Sequence, residues 1–285
     1  MVIALLILGF AIYVFNRLKH SKQQNLIIEE QKNKVDEKQK EILDSIKYAK
    51  RIQSTILKNQ IILKELLPEH FVYFKPKDIV SGDFYWAHRK QNYYYLAVCD
   101  CTGHGVPGAF MSLLSIGFLN EAINENDIIK PNEIFDYVRE RLIQSISQEE
   151  QKDGFDGILL CINIDTKEIT YAAANNKPVL ISNQEIIEYK VDKMPVGKGE
   201  REEQFTLYSI SAKTGDTLYL YTDGYADQFG GPKGKKFKYK QFQELLLSKN
   251  TESPDNQMQA LHSAFIQWKG QQEQIDDVCV IGFRI

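Results

Sequence analysis

Cysteine is scarce. Only Cys99, Cys101, Cys161 and Cys279 occur in 285 residues, each inside an apolar run. Free cysteines so placed behave as small buried hydrophobes; the pattern excludes a secreted disulfide framework and fits a reducing cytosol. Cys99, Cys101 and His104 are followed by no second Cys/His pair, and a one-residue gap is not the spacing of a structural zinc knuckle. Net charge is also small. A formal balance of -3 gives no electrostatic reason to expect nucleic acid as a partner. No internal repeat is visible. What remains is ordinary globular composition, 43% apolar and 26% charged, enough for a sizeable core in one large domain with an appendage, or in two small ones.

Met1 to Phe15 is nearly unbroken apolar sequence, followed by Asn16, Arg17, Lys19, His20 and Lys22. Such a run gives about 22 Å of helix, short of the ~30 Å hydrocarbon core unless it extends to Leu18 with basic side chains snorkelling. Residues 1–18 are therefore expected to form a membrane helix, and the basic residues after it put the rest of the chain on the cytoplasmic side. Through residues 19–66 the composition turns to Glu, Lys and Gln. Ile28, Val35, Ile42, Ala49 and Ile56 recur every seven residues, the seam of a coiled coil. The companion positions Gln31, Lys38 and Ser45 are polar and only Ile52 is apolar, so a homodimer formed through this linker would be marginal and open to control.

Residues 67–285 read as one compact domain. Strands are expected at 71–74, 92–100, 158–164, 169–174, 178–182, 186–191, 203–209, 217–222 and 278–285, and helices at 107–123, 131–146, 240–247 and 257–268. The fold class this implies is α+β, an antiparallel β-sandwich flanked by helices and preceded by a long N-terminal helix.

The acids in this domain follow one rule. Asp100, Asp223 and the Asp276-Asp277 pair each stand where a β-prone run meets a turn; Asp83 sits in a glycine turn, and Asp153 and Asp156 flank Gly154. Carboxylates without His or thiolate partners are hard oxygen ligands that favour Mg²⁺ or Mn²⁺. Gathered together they would repel one another and raise their own pKa values unless a divalent ion intervened. Turns are rich in Asp for other reasons too, so spacing alone does not decide the matter.

Four stretches, DIVSGDFYW, DCTGHGVPGAFMS, TDGYADQ and DDVCVIGF, resemble in order the motifs of the metal-dependent PPM (type 2C) protein phosphatases, in the bacterial branch of sporulation and sigma-factor regulators. EILDSIKYAKRIQSTIL resembles the linker that joins sensor modules to that domain. The resemblance implies two packed sheets with two metal ions at one end. By motif, Asp100 would bridge both ions and the Cys101 carbonyl would be a ligand. Asp223 and Asp276 would hold the first ion and Asp83 the second, while Asp153 loosely matches a third-ion acid. Asp100 and Asp223 would carry the catalysis. Asp277, where many relatives have Asn, is secondary, and His104, not two residues after the bridging Asp, is read as turn packing.

The resemblance further implies hydrolysis of phosphoserine or phosphothreonine on a small regulatory protein of the anti-sigma-factor antagonist type, gated by the preceding helix. Consistently, the sequence has neither the Cys-x5-Arg loop of cysteine phosphatases nor a nucleotide-binding Gly-x4-Gly-Lys loop. Lys233, Lys235, Lys236, Lys238 and Lys240 form a basic flap suited to receiving a phosphoprotein, with Lys75 and Lys77 as further groups to face the phosphate. Two rivals stay open: a catalytically silent scaffold on the same fold, and a two-metal phosphoesterase for small molecules.

Overall fold

The computed structural model describes residues 1–57, 60–146, 152–201 and 203–285, without the side chains of 60 and 61. Residues 58 and 59 of the predicted linker lie outside the described residues. There are two compact units, Met1–Ala49 and Lys50–Ile285. Within the first, the chain is helical as part of α1 (Val2–Leu57). Ile28, Val35 and Ile42 are exposed on it, and Lys34 pairs with Glu30 one turn away at 2.7 Å. The apolar N-terminal part of this helix is long and apolar enough to cross a membrane, by length and composition.

The second unit is built from two antiparallel sheets. One runs in the order β1 (His70–Lys75), β13 (Val278–Arg284), β10 (Thr217–Tyr221), β6 (Val179–Ser182), β7 (Glu185–Glu188). The other runs β2 (Phe84–Lys90), β3 (Tyr93–Cys101), β4 (Gly154–Asn163), β5 (Ile169–Ala174), β9 (Tyr208–Ile210), with β8 (Val196–Gly197) on β4. A small hairpin pairs β11 (Phe229–Gly230) with β12 (Lys235–Lys236). The helices are the end of α1, α2 (Gln60–Leu66), α3 (Gly105–Asn124), α4 (Pro131–Ile146), the short α5 (Gly224–Asp227), α6 (Tyr239–Lys249) and α7 (Pro254–Lys269).

The two-residue period of the strands sorts side chains into three apolar layers. On β10, Leu218 and Leu220 point between the sheets, with Leu96 and Val98 of β3 and Cys279 and Ile281 of β13. Tyr219 and Tyr221 point the other way, onto Phe242 of α6 and Leu261 and Phe265 of α7. Tyr95, Ala97 and Cys99 of β3 face Leu119 of α3 and Phe135 and Val138 of α4. The result is helices, sheet, sheet, helices. Truncating a central residue such as Leu220 to alanine would cost about 2–5 kcal/mol. Helix α3 passes the same length and hydropathy test as the N-terminal segment, but more than half of it is buried, as befits a core helix.

Two predicted strands are shorter than expected. Residues 203–209 become sheet only from Tyr208, because Phe205 turns into the core against Phe135 and its N–H is taken by the Asp136 carboxylate at 3.0 Å rather than by a strand. Residues 186–191 leave the sheet after Glu188, where Asp192 instead pairs its backbone with Ala173 and Asn175. The basic flap is an ordered hairpin: Lys236 bonds Asp227 at 2.7 Å, and Gly231 donates to the Trp268 carbonyl at 2.8 Å.

Candidate metal centre

Strand ends bring the acids together. β10 and β13 are antiparallel, with Tyr221 opposite Val280, so the turn after β10, carrying Asp223, lies beside the turn before β13, carrying Asp276. Gly224 makes this approach possible, since a Cβ there would stand 1.9 Å from the Asp277 carbonyl oxygen. Across the sandwich, β3 ends on Asp100 and Cys101. The turn that follows packs backbone to backbone on the Asp83 turn: a Cβ on Gly108 would lie 2.2 Å from the Gly103 oxygen and 2.9 Å from the Gly82 Cα. Gly82 and Gly108 are required because two turns touch there with no room for a side chain, while Gly103 and Gly105 adopt positive φ, +83° and +63°.

Asp100, Cys101, His104, Asp156, Asp223 and Asp276 line one cavity of about 300 Å³. A larger one, about 960 Å³ beside Phe237, Leu245 and Trp268, is mainly apolar and contains no group of acids, so the chemistry belongs to the smaller. Burial raises Asp100 well above the carboxylate range, and the charges of Asp83, Asp223, Asp276 and Asp156 add to it. Burial, then Asp276 and Asp227, raises Asp223 to about 6, with its carboxyl in hydrogen-bond reach of Asp100. Asp276 and Asp156 are raised by burial as well. The Asp277 N–H, donating to Asp276 Oδ1 at 2.9 Å, pulls Asp276 back down, and Lys77 and His104 add to this, which sets Lys77 among the groups beside the acids. Among the described residues, no three acid, histidine or cysteine side chains are gathered closely enough to grip an ion as they stand.

Asp83 is buried behind the cavity wall, 2% exposed, with its Oδ2 accepting a 2.6 Å bond from Thr222. Burial raises it, and Asp277, Asp276 and Asp223 add to the shift. Asp153 does not line the cavity; its carbonyl accepts from the Lys198 N–H. Asp156 does, because the β3–β4 register sets it opposite Asp100, and Asn175 steadies it at 2.8 Å. The sequence shows both acids beside Gly154, and only the register distinguishes them. His104 also stands on the wall, its Nδ1 2.8 Å from Asp78 Oδ2, which is more than turn packing.

The donor set fits a hard divalent ion. It is all oxygen: the Cys101 thiol is buried and pushed up by that burial and by Asp100, leaving its backbone carbonyl as the donor. Carboxylates forced to share a poorly solvated space are stabilised as anions by a cation in their midst.

The family model of Stage II sporulation protein E (SpoIIE) matches residues 90–285. Phosphoserine phosphatase RsbU of Bacillus subtilis is 23% identical over 189 residues, 65% of this chain and 54% of the relative, so the chain spans about half the length of that curated protein. Among solved structures, the SiaA-PP2C domain of Pseudomonas aeruginosa is 28% identical with a TM-score of 0.80, over 87% of this chain and 98% of that one. The PP2C phosphatase domain of SpoIIE from Bacillus subtilis, solved with a fragment of its regulatory domain, is 19% identical with a TM-score of 0.63, over 76% and 63%. With its acids at the strand ends of a helix-flanked double sheet, and with a family match covering most of its length, this chain belongs to the SpoIIE family of PPM-fold proteins.

Proposed function

We propose that this chain is a Mn²⁺- or Mg²⁺-dependent phosphatase that removes phosphate from phosphoserine or phosphothreonine of a regulatory protein of the anti-sigma-factor antagonist type. The observation that supports it is the convergence of Asp100, Asp223 and Asp276, far apart in sequence, on one cavity with raised carboxyl pKa values. Asp100 would bridge two ions, Asp223 and Asp276 would hold the first, and Asp83 the second, with the Cys101 carbonyl completing the set. For a third-ion acid, Asp156 on the wall is better sited than Asp153. When bound, such ions would offset the phosphoryl charge and supply an activated water. The chain contributes the donors and their placement at paired strand ends. Burial raises the thiols of Cys99, Cys101 and Cys279 well above the usual range, so none of these cysteines is suited to act as a thiolate nucleophile.

The flap would admit the phosphoprotein. Lys236 is paired to Asp227, while Tyr239 just beyond it is raised by burial and then by Asp223 and Asp227, which sets this end of the flap beside the acids. Gating by the preceding helix has a physical route in Gln53, which is buried, donates to the Ser81 carbonyl at 2.6 Å and to Ser112 Oγ at 3.0 Å, and accepts from the Ser81 N–H at 3.2 Å. Ser81 is two residues from Asp83. The apolar N-terminus would anchor the protein in the cytoplasmic membrane, and the heptad seam would pair two copies.

The test is turnover of a phosphoserine protein by the full chain in detergent, with Mn²⁺ and then with chelator. Asp100→Asn should lose more than about a hundredfold, beyond what an outer-shell partner is worth, with its circular dichroism unchanged. Retained activity would end the bridging role, preference for nucleotides would favour a small-molecule phosphoesterase, and absence of Mn²⁺ binding would favour a silent scaffold.

A further inference from the structure

Asp277 is a charged side chain only 2% exposed, and nothing in the proposed metal set uses it. Its carboxylate faces away from that task. Oδ1 accepts the Lys77 N–H at 2.7 Å, and Oδ2 accepts the Gly82 N–H at 2.8 Å and, at 3.5 Å, that of Asp83. Among the described residues no lysine, arginine or histidine pairs with it; three backbone donors from one loop, about two hundred residues away in sequence, satisfy it instead. A carboxylate can do this because it is acceptor-only, with about four lone-pair sites. Asparagine, with one acceptor oxygen and an NH₂ group, would set donor against donor at Lys77 or at Gly82.

The loop so held carries Asp83. That residue is fixed twice: its backbone by Asp277, and its side chain by Thr222, whose hydroxyl donates to Asp83 Oδ2 at 2.6 Å and accepts from the Cys279 N–H at 3.0 Å. Both anchors come from the ends of neighbouring central strands, β10 and β13, which also carry Asp223 and Asp276. Asp277 is therefore costly where it stands, since its charge adds to the rise in the Asp83 pKa. Among hydrogen-bonding residues it offers the geometry that gathers all three amides at once.

We propose that Asp277 is a positioning residue: by tying the 77–83 loop to the start of β13 it sets the distance between Asp83 and the Asp100, Asp223, Asp276 group, and so sets the affinity for the second ion. This rests on the metal-dependent reading above. It acts through Asp83 rather than on substrate.

The experiment uses the full chain in detergent, with Mn²⁺ alone as probe. Isothermal calorimetry should show at least about a tenfold weaker Mn²⁺ isotherm for Asp277→Asn than for wild type. Hydrogen exchange should show faster exchange at the amides of Lys77, Gly82 and Asp83. Asp216→Asn serves as the structural control; this acid, also buried, caps the Lys213 N–H in a distant turn at 2.8 Å and should leave the isotherm unchanged. Wild-type affinity in Asp277→Asn overturns the proposal, as does an equal loss in the Asp216→Asn control. Weaker binding with unchanged exchange at the three amides also overturns it, because loss of one negative charge would weaken binding without freeing them. If Asp277→Asn does not fold, wild type alone decides: Mn²⁺ should slow exchange at those three amides, and no change refutes the coupling. A wild type that binds no Mn²⁺ removes the metal reading and this one with it, whereas a binding wild type with a normal variant removes this one alone.

Discussion

Replacing Asp223 by asparagine should stabilise the metal-free protein and weaken the metal-loaded one. Burial, followed by the neighbouring Asp276, raises Asp223 to about 6, against about 3.9 for an aspartate in an unfolded chain. With the folded pKa above the unfolded one, the folded state holds the proton longer. Stability is therefore unaffected below about pH 4 and falls as the pH rises from there through about 6. A gap of roughly two units corresponds to about 3 kcal/mol. The side chain is partly exposed, and solvent screening brings the expected cost to about 1–2 kcal/mol. At about 2–4 °C per kcal/mol for a unit of this size, Asp223→Asn should melt about 2–8 °C above wild type at pH 7.5 in chelator. The advantage should shrink to nothing near pH 4. Saturating Mn²⁺ should reverse the order, because only wild type retains the carboxylate that binds it. Scanning calorimetry of both proteins across this pH range, with and without metal, measures all three effects. An asparagine variant no more stable than wild type at pH 7.5 without metal would refute the claim of a destabilising buried charge; equal stabilisation of both by Mn²⁺ would refute the ligand role.

Gln53→Ala should strip both backbone partners from Ser81. At about 1–3 kcal/mol for each buried group left unsatisfied, the melting temperature should fall by at least about 4 °C, and a loss below about 1 °C would mean that water replaces the amide. Changing Lys233, Lys235, Lys238 and Lys240 to glutamine should raise KM for a phosphoprotein several-fold and flatten its dependence on salt, with kcat little changed. Unchanged KM and salt dependence would reduce the flap to a solvated hairpin.

The sequence by itself determined the local features. Alternation on β10 and β13, proline at the start of α4 and glycine-broken turns after strands are decided over a few residues, so most strand and helix identities, their order, and the standing of Asp100, Asp223 and Asp276 at strand ends were legible, whereas β2, which pairs with β3 from Phe84 to Lys90, was not among the expected strands. Tertiary structure decided what depends on contacts distant in sequence. The β3–β4 register chose Asp156 over Asp153 for the cavity wall. The meeting of α1 with the Ser81 turn gave Gln53, an unremarked polar residue in a polar helix, its buried partners. The packing of β13 against the 77–83 loop gave Asp277 three amides to hold. A side chain's type limits which bonds it can make, but which partner reaches it is set by the stacking of two sheets, and no short window of sequence contains both members of such a pair.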